Sequence, residues 1–438
     1  MPHKITIIGG GSSMFTPQLM SLFIQSKPLQ GSTISLMDIN PRRLELMDTL
    51  SKQLVQKTGA DLKVESTTDR TAALTGADYV IVAISVGGFE AWEKDLEIPA
   101  KYGVYQSIGD SIGPGGILRA FRHVLPMVQI CKDLEKVSPK AWVLNYTNPA
   151  TTLAWVMNKE SNIKVVSLCT NTVNLRSQKF MATLVGVKPG EVVLPPTIAG
   201  INHCSAIIEL HLKDGSDAFP LMLKKARHPL VRWGLETHHI MPIVWPHWCE
   251  FYPMMCKLKS EYKGRIQGLF LSYGMQVKDM QVETGRIRQW EKMVAGWAKG
   301  EGEASLAAIP PTEPVQVVEI IEALIEDRQE IHGVNIPNHG AIENLPDDAV
   351  VEIMGLVSGQ SIRPIHAGRL PESIAAFHRL YIDSQKLTAE AALTGDRRIA
   401  LQAFESDPFV AATLELEKIP VLMNEMLAAH AENLPQFN

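Results

Sequence analysis

The stretch that decides the fold is KITIIGGGSSMFTPQLM, residues 4–20. Ile5, Thr6, Ile7 and Ile8 are all β-branched and read as a buried strand; the glycines then mark a tight turn, and TPQLM opens a helix. Gly9 and Gly11 let the backbone turn sharply and approach a pyrophosphate, which the N–H groups of the following helix attract. Ser12 belongs to the same turn, but Met14 and Phe15 fill the region where a third glycine is usual. The fingerprint is therefore incomplete by itself.

Working outward, TISLMDIN (33–40) is a second strand ending on Asp38. An acid there holds the ribose hydroxyls of NAD and repels the 2′-phosphate of NADP. Asn40 and Arg43 are placed to border the adenosine. ADYVIVAISVGG (77–88) repeats the pattern, passing Ser85 before a turn at Gly87 and Gly88. Three strand–turn–helix units and Asp38 agree with one another, so they predict an NAD-binding, doubly wound parallel sheet whose ligand lies off the carboxyl ends of the strands.

The remaining residues bound the answer. A chain of 438 residues exceeds one ordinary core, so two domains are expected. The seam falls at VKPGEVVLPPT (187–197), giving a dinucleotide domain over 1–195 and an α+β domain for substrate, metal and oligomerisation over 196–438. Within the second, PVQVVEIIEALIEDRQ (314–329) has helical apolar spacing. The net charge is −5 with no basic tract, which argues against nucleic acid or an anionic membrane surface as partner. No signal peptide and no bilayer-spanning run is read from the sequence. Cys131, Cys169, Cys204, Cys249 and Cys256 are scattered without CxxC spacing, which points to a reduced, cytoplasmic setting.

Four stretches carry candidate chemistry. YGVYQSIGDSIGPGGILRAFR (102–122) is glycine-rich around Asp110, and AWVLNYTNPATTL (141–153) runs a strand into Asn145 and Asn148. VVSLCTNTVN (165–174) delivers Cys169 from a strand end, and IAGINHCSAIIEL (198–210) puts His203 after a turn. Taken alone, Cys169 reads as a small buried hydrophobe and His203 as a core histidine. A fifth stretch, THHIMPIVWPHWCEFYP (237–253), gathers His238, His239, His247 and Cys249. Its spacing fits no standard ligand pattern, so a cleft-lining loop is expected there rather than a metal centre.

GGGS (9–12), GVYQSIGDSIGPGG (103–116), NYTNPA (145–150), GINH (200–203) and VNIPNHGAIENLP (334–346), in that order, resemble glycoside hydrolase family 4 from the first strand to about Asp407. The resemblance implies a lactate/malate dehydrogenase-like fold with NAD and a divalent metal, usually manganese. It implies a small sugar substrate and a homodimer or homotetramer. The family's metal-binding cysteine and histidine fall on Cys169 and His203, and Ser85 and Asn145 fall beside the cofactor. Asp110 matches an acid beside the metal. The general base is expected to be a tyrosine, Tyr273 or Tyr262 of KSEYKGRIQGLFLSYGMQ (259–276). The implied route is transient oxidation at carbon 3, metal-assisted deprotonation at carbon 2, elimination, and addition of water.

The sequence also departs from the family. Thr170 and Asn171 follow the cysteine where the uronidases carry His-Glu, although the Asp110 loop is nearest to the α-galacturonidase branch. Trp92 stands where phosphoglycosidases place an arginine, and an indole cannot grip a phosphate as a guanidinium does. An unphosphorylated α-hexoside or α-hexuronide is therefore expected, with Asn148, Asn171 and Trp92 contacting it. A 6-phospho-glycosidase of the same family and a malate/lactate-type dehydrogenase are the alternatives.

Overall fold

The structure, a computed structural model, describes residues 2–243, 245–302, 305–309, 315–359 and 361–437. Strands β1 (Lys4–Ile8), β2 (Thr33–Met37), β3 (Lys63–Thr67), β4 (Tyr79–Val82), β5 (Trp142–Asn145) and β6 (Lys164–Ser167) pair in parallel in the order β3-β2-β1-β4-β5-β6. The order reverses between β1 and β4, and that switch point is where a doubly wound sheet opens a crevice for ligand. Successive side chains of a strand face opposite ways, and here the alternation feeds two cores. Tyr79 and Ile81 of β4, Leu144 of β5 and Val166 of β6 pack into one cluster; Val80, Val82, Val143 and Val165 pack into the other. A sheet covered on both faces needs such continuous apolar strands.

A small antiparallel sheet follows, formed by β7 (Thr197–Ile201), β8 (Cys204–Glu209) and β9 (Met241–Pro242). Strands β10 (Glu330–Pro337), β11 (Val350–Ser358) and β12 (Ser361–Pro364) then return to the main sheet as an antiparallel extension, with β10 meeting β6 at Asn335 opposite Ser167. The main sheet thus has nine strands, and its last three come from beyond the proline-rich seam. The expected helix in the second half is present over Val317–Glu326; Pro314 lies outside the described residues. Among the described residues no helix is long and apolar enough to cross a membrane.

Two local contacts position what matters for function. The long helix Gly113–Val137 begins beneath the Asp110 loop, and a Cβ on Gly116 would sit 2.3 Å from the Ser111 carbonyl carbon. Only glycine permits that approach. Farther along this helix Arg122 makes a two-pronged pair with Asp95, Nη1 to Oδ1 at 2.9 Å and Nη2 to Oδ2 at 2.5 Å, and His430 Nε2 lies 3.0 Å from the same carboxylate. All three groups are buried, so the C-terminal segment meets the helix Gly88–Ala100 through a polar contact as well as by packing.

Replacing Gly116 with alanine is expected to lower stability by about 1–3 kcal/mol through overpacking and to displace Ser111, as urea unfolding and thermal melting would register. Arg122→Ala strands Asp95 as a buried charge and should cost about 3–5 kcal/mol. Burial alone would raise the Asp95 carboxyl, yet Arg122 outweighs it and holds the group below its ordinary value. The stability this gives is in place above about pH 4 and is lost as the pH falls through the lowered value. Unfolding at pH 7 and pH 3 should therefore show the Arg122→Ala deficit shrinking in acid.

Candidate active site

At the end of β1 the chain turns at Gly9, with φ +95°, where a Cβ would lie 2.2 Å from the Ala83 carbonyl oxygen. The N–H groups of Gly9 and Gly10 donate to the Met37 carbonyl at 2.9 and 2.8 Å. The turn is thereby clamped between β2 and β4, and it leads through Ser12 into the helix Thr16–Gln25. Ser12 Oγ accepts the Phe15 N–H at 3.2 Å; Phe15 packs at 5.7 Å on Tyr146, and Met14 is exposed. Asp38 accepts the Gly11 N–H at 3.0 Å and the Asn40 N–H at 2.9 Å. Ser85 lies exposed across the switch point. This is a backbone cradle of dinucleotide-binding form, with an acid at the ribose end.

Three of the residues expected at the cofactor are occupied otherwise. Asn40 is the N-cap of the helix Pro41–Thr58, its side chain accepting the Arg43 N–H at 3.1 Å, and Arg43 pairs with Glu291 at 3.4 Å. The expectation for Asn145 is corrected. Its amide is buried and bonded to Thr147, through both O and N–H, and to Ser167, so it braces the loop after β5 instead of facing a ligand. An amide beside a tight turn is drawn first to its own backbone.

The loop after the helix Gly88–Ala100 carries Asp110, the turn between β7 and β8 carries His203 at φ +68°, and the short helix Trp245–Glu250 carries His247. Their ligand atoms all lie within 4.8 Å of one another. Asp110 Oδ1 is 3.6 Å from His203 Nδ1 and 3.4 Å from His247 Nδ1, and the two imidazoles lie tilted by 32° with centroids 3.7 Å apart. Ser111 Oγ bridges Asp110 Oδ1 at 2.7 Å and His203 Nδ1 at 2.8 Å, while Asn148 Nδ2 donates to Asp110 Oδ2 at 2.9 Å. Burial alone would raise the Asp110 carboxyl, but His247 and His203 hold it well below the usual carboxylate range. Burial, with His247 beside it, lowers His203, so its imidazole is neutral at pH 7, the form that binds metal. One carboxylate and two imidazoles are a donor set that suits a borderline divalent ion.

Glu250, one helical turn beyond His247, fixes this arrangement. Its buried carboxylate accepts Ser107 Oγ at 3.0 Å and the backbone N–H groups of Ile108 at 2.5 Å and Gly109 at 3.1 Å. The helix bearing His247 is thus tied to the loop bearing Asp110. The expectation of a plain cleft-lining loop over 237–253 is corrected at one residue. His247 turns into the cluster, whereas His238 meets Ser373 at 2.9 Å and His239 meets Asp217 at 3.2 Å.

Cys169 is not one of the three grouped ligands; it lies two residues beyond β6 as a buried thiol that accepts from Asn171 Nδ2 at 3.6 Å. Burial and the Glu352 carboxylate push it far above its ordinary range, toward the protonated form. Glu352 is itself buried and accepts Asn202 Nδ2 at 3.0 Å, Asn335 Nδ2 at 3.1 Å and the Ser205 hydroxyl. Trp92 donates its Nε1–H to the Ile108 carbonyl at 2.6 Å, and the Arg119 guanidinium lies 5.3 Å from its ring centre. The lack of a guanidinium inferred at Trp92 is therefore corrected: Arg119, from the neighbouring helix, supplies one. Tyr262 packs at 6.3 Å on Tyr105, and burial together with Glu97 raises its phenol. Tyr273 is half-buried at φ +61°. Glu250 and Arg119 are the side chains that sequence reasoning passed over, while His247 was named and set aside as part of a cleft-lining loop. The one available signal was the three-residue spacing of His247 and Glu250 on a helix.

The family 4 glycosyl hydrolase model matches residues 4–187, and the family 4 glycosyl hydrolase C-terminal domain model matches residues 198–410. An α-galactosidase of Bacillus subtilis (strain 168) is 32% identical, over 99% of this chain and 99% of its own. An α-galacturonidase of Lachnoclostridium phytofermentans is 29% identical, over 99% of this chain and 97% of its own. In fold, the chain superposes with TM-score 0.82 on a 6-phospho-α-glucosidase from gut microorganisms solved in complex with NAD and Mn2+, at 20% identity and covering 100% of both chains. The chain belongs to the family 4 glycosyl hydrolases, glycosidases built on a dinucleotide-binding sheet.

Proposed function

We propose that this glycosidase cleaves an unphosphorylated α-hexoside or α-hexuronide by oxidation of the sugar at carbon 3, loss of the carbon 2 proton, elimination of the aglycone and addition of water, with NAD and manganese as resident cofactors. The observation that carries the reading is the Asp110–His203–His247 group, its first two members buried and His247 partly so, with its ligand atoms within 4.8 Å. The Gly9 cradle and Asp38 fit a dinucleotide, and the carboxylate–imidazole donors fit the ion. When bound, NAD supplies a hydride acceptor restored within the turnover, and the metal supplies a Lewis acid beside the sugar hydroxyls.

The chain's own residues do the rest. Asp110, Asn148 and Ser111 hold the two imidazoles in register, and Asp110 stays ionised at neutral pH. Cys169 is proposed as a further ligand, because a cation nearby would reverse the effect of Glu352 and favour the thiolate. Asn148 and Asn171 are proposed to meet sugar hydroxyls. A general base is needed at carbon 2, and Tyr262 and Tyr273 are the proposed groups. Because the bond breaks by elimination, no carboxylate pair flanking the glycosidic oxygen is required. The five free cysteines accord with a reduced, cytoplasmic setting, and a homodimer or homotetramer completes the reading. Within the same family a 6-phospho-glycosidase is the competing reading; it draws on the Arg119 and Lys278 cations beside Trp92.

His247→Ala is expected to weaken manganese binding at least tenfold or so while the fold persists, as manganese titration followed by electron paramagnetic resonance would measure. Unchanged affinity would remove His247 from the ligand set. Turnover in heavy water should leave deuterium at carbon 2 of the released sugar, without accumulation of NADH. A product free of deuterium rules out the elimination route, and stoichiometric NADH would instead indicate a dehydrogenase.

A further inference from the structure

We infer that Arg119 reads a carboxylate on the sugar, so that the substrate is a hexuronide. The inference rests on the proposed function and narrows its substrate class.

Helix Gly113–Val137 carries two buried arginines three residues apart, and they are treated in opposite ways. Arg122 is fully neutralised by Asp95. Arg119, 8% exposed, makes no ion pair with a carboxylate among the described residues. Its Nε donates to the Asn148 carbonyl at 3.2 Å, and its buried Nη1 has no hydrogen-bond partner. A guanidinium removed from water without an anion is costly and tends to be retained where a ligand completes the pair. Asp110, the nearest acid in the site, has its oxygens engaged by Ser111 and Asn148, with the two imidazoles close by.

Position decides what that ligand is. Asn148 joins Arg119 to the cluster, its carbonyl accepting from Arg119 and its amide donating to Asp110. The buried guanidinium is therefore joined to the proposed metal group through a single residue. Its guanidinium carbon lies 5.3 Å from the centre of the Trp92 ring, and Lys278 Nζ, paired with Glu283 at 3.2 Å, stands 6.0 Å from the same ring. A planar fork backed by an indole matches a planar carboxylate, which it grips through paired N–H donors. A phosphate dianion calls for donors around three oxygens, and the indole occupies one side. A neutral hydroxymethyl group would leave the buried charge uncompensated.

The test uses full-length protein loaded with NAD and manganese. Turnover of nitrophenyl α-hexuronide, α-hexoside and 6-phospho-α-hexoside is compared for the native chain, Arg119→Met and Arg119→Lys. Calorimetric binding of free hexuronate, hexose and hexose 6-phosphate runs in parallel, with thermal melting as a check on folding. The native chain is expected to prefer hexuronide, and Arg119→Met to lower the hexuronide-to-hexoside ratio of kcat/KM by roughly 30-fold or more. Arg119→Lys, which keeps the charge and loses the fork, should restore only part of it. A ratio unmoved by Arg119→Met overturns the inference, as does preference for the phosphorylated sugar. If no glycoside is cleaved, the proposed function fails, and the binding arm still decides this inference. Hexuronate bound in preference to hexose, and released by Arg119→Met, upholds it; equal affinities overturn it.

Discussion

The buried Glu250 carboxylate is the contact on which the site's geometry depends. A carboxylate out of water is costly unless its lone pairs are met, and here they are met by one hydroxyl and two backbone N–H groups of the Ser107–Gly109 segment. Burial still pushes its pKa above the ordinary carboxylate value, with His247 opposing that effect. The bonds are directional and water is excluded, so the Asp110 loop and the His247 helix move as one body. Without it, buried backbone donors would be left unpaired in the segment that carries Asp110.

Glu352 does for His203 what Glu250 does for His247. It stands on β11 and takes Asn202 and Ser205 from the turn and strand around His203, and Asn335 from β10. The hairpin that presents His203 is thereby bolted to the main sheet. His203 needs such support, because a non-glycine residue at φ +68° costs about 1–2 kcal/mol. Strain of this kind persists where surrounding contacts over-determine the backbone. Convergence of the three proposed ligands follows from these two internal carboxylates, neither of which is grouped with the ligands.

Much of this was legible beforehand, and the limits have physical causes. The central parallel strands were readable because they bury both faces and so run largely apolar, unlike the half-exposed edge strand β3; the turn at Gly9 was readable because only glycine allows that approach to Ala83. Asp110 and His203 stood out because each follows a glycine turn at a strand or loop end. His247 did not, since its partners come from distant segments and its own neighbourhood is broken by prolines. Asn40 and Asn145 looked like ligand-facing amides, yet one caps a helix and the other braces a loop. Local sequence cannot tell an amide used by its own backbone from one left open. Trp92 was readable as an indole, but the guanidinium lying against it comes from a different helix.

The sequence by itself determined the dinucleotide half, the glycine-lined loop and the chemical kinds of residue available, because those rest on periodicity and on conformational limits set within a few positions. Tertiary structure alone decided that strands from beyond residue 330 finish the same sheet, that His247 lies with Asp110 and His203, and that one of two neighbouring arginines makes no ion pair among the described residues. Those outcomes depend on which buried charges find partners across long stretches of chain, a balance of desolvation against pairing that exists only once the segments have met.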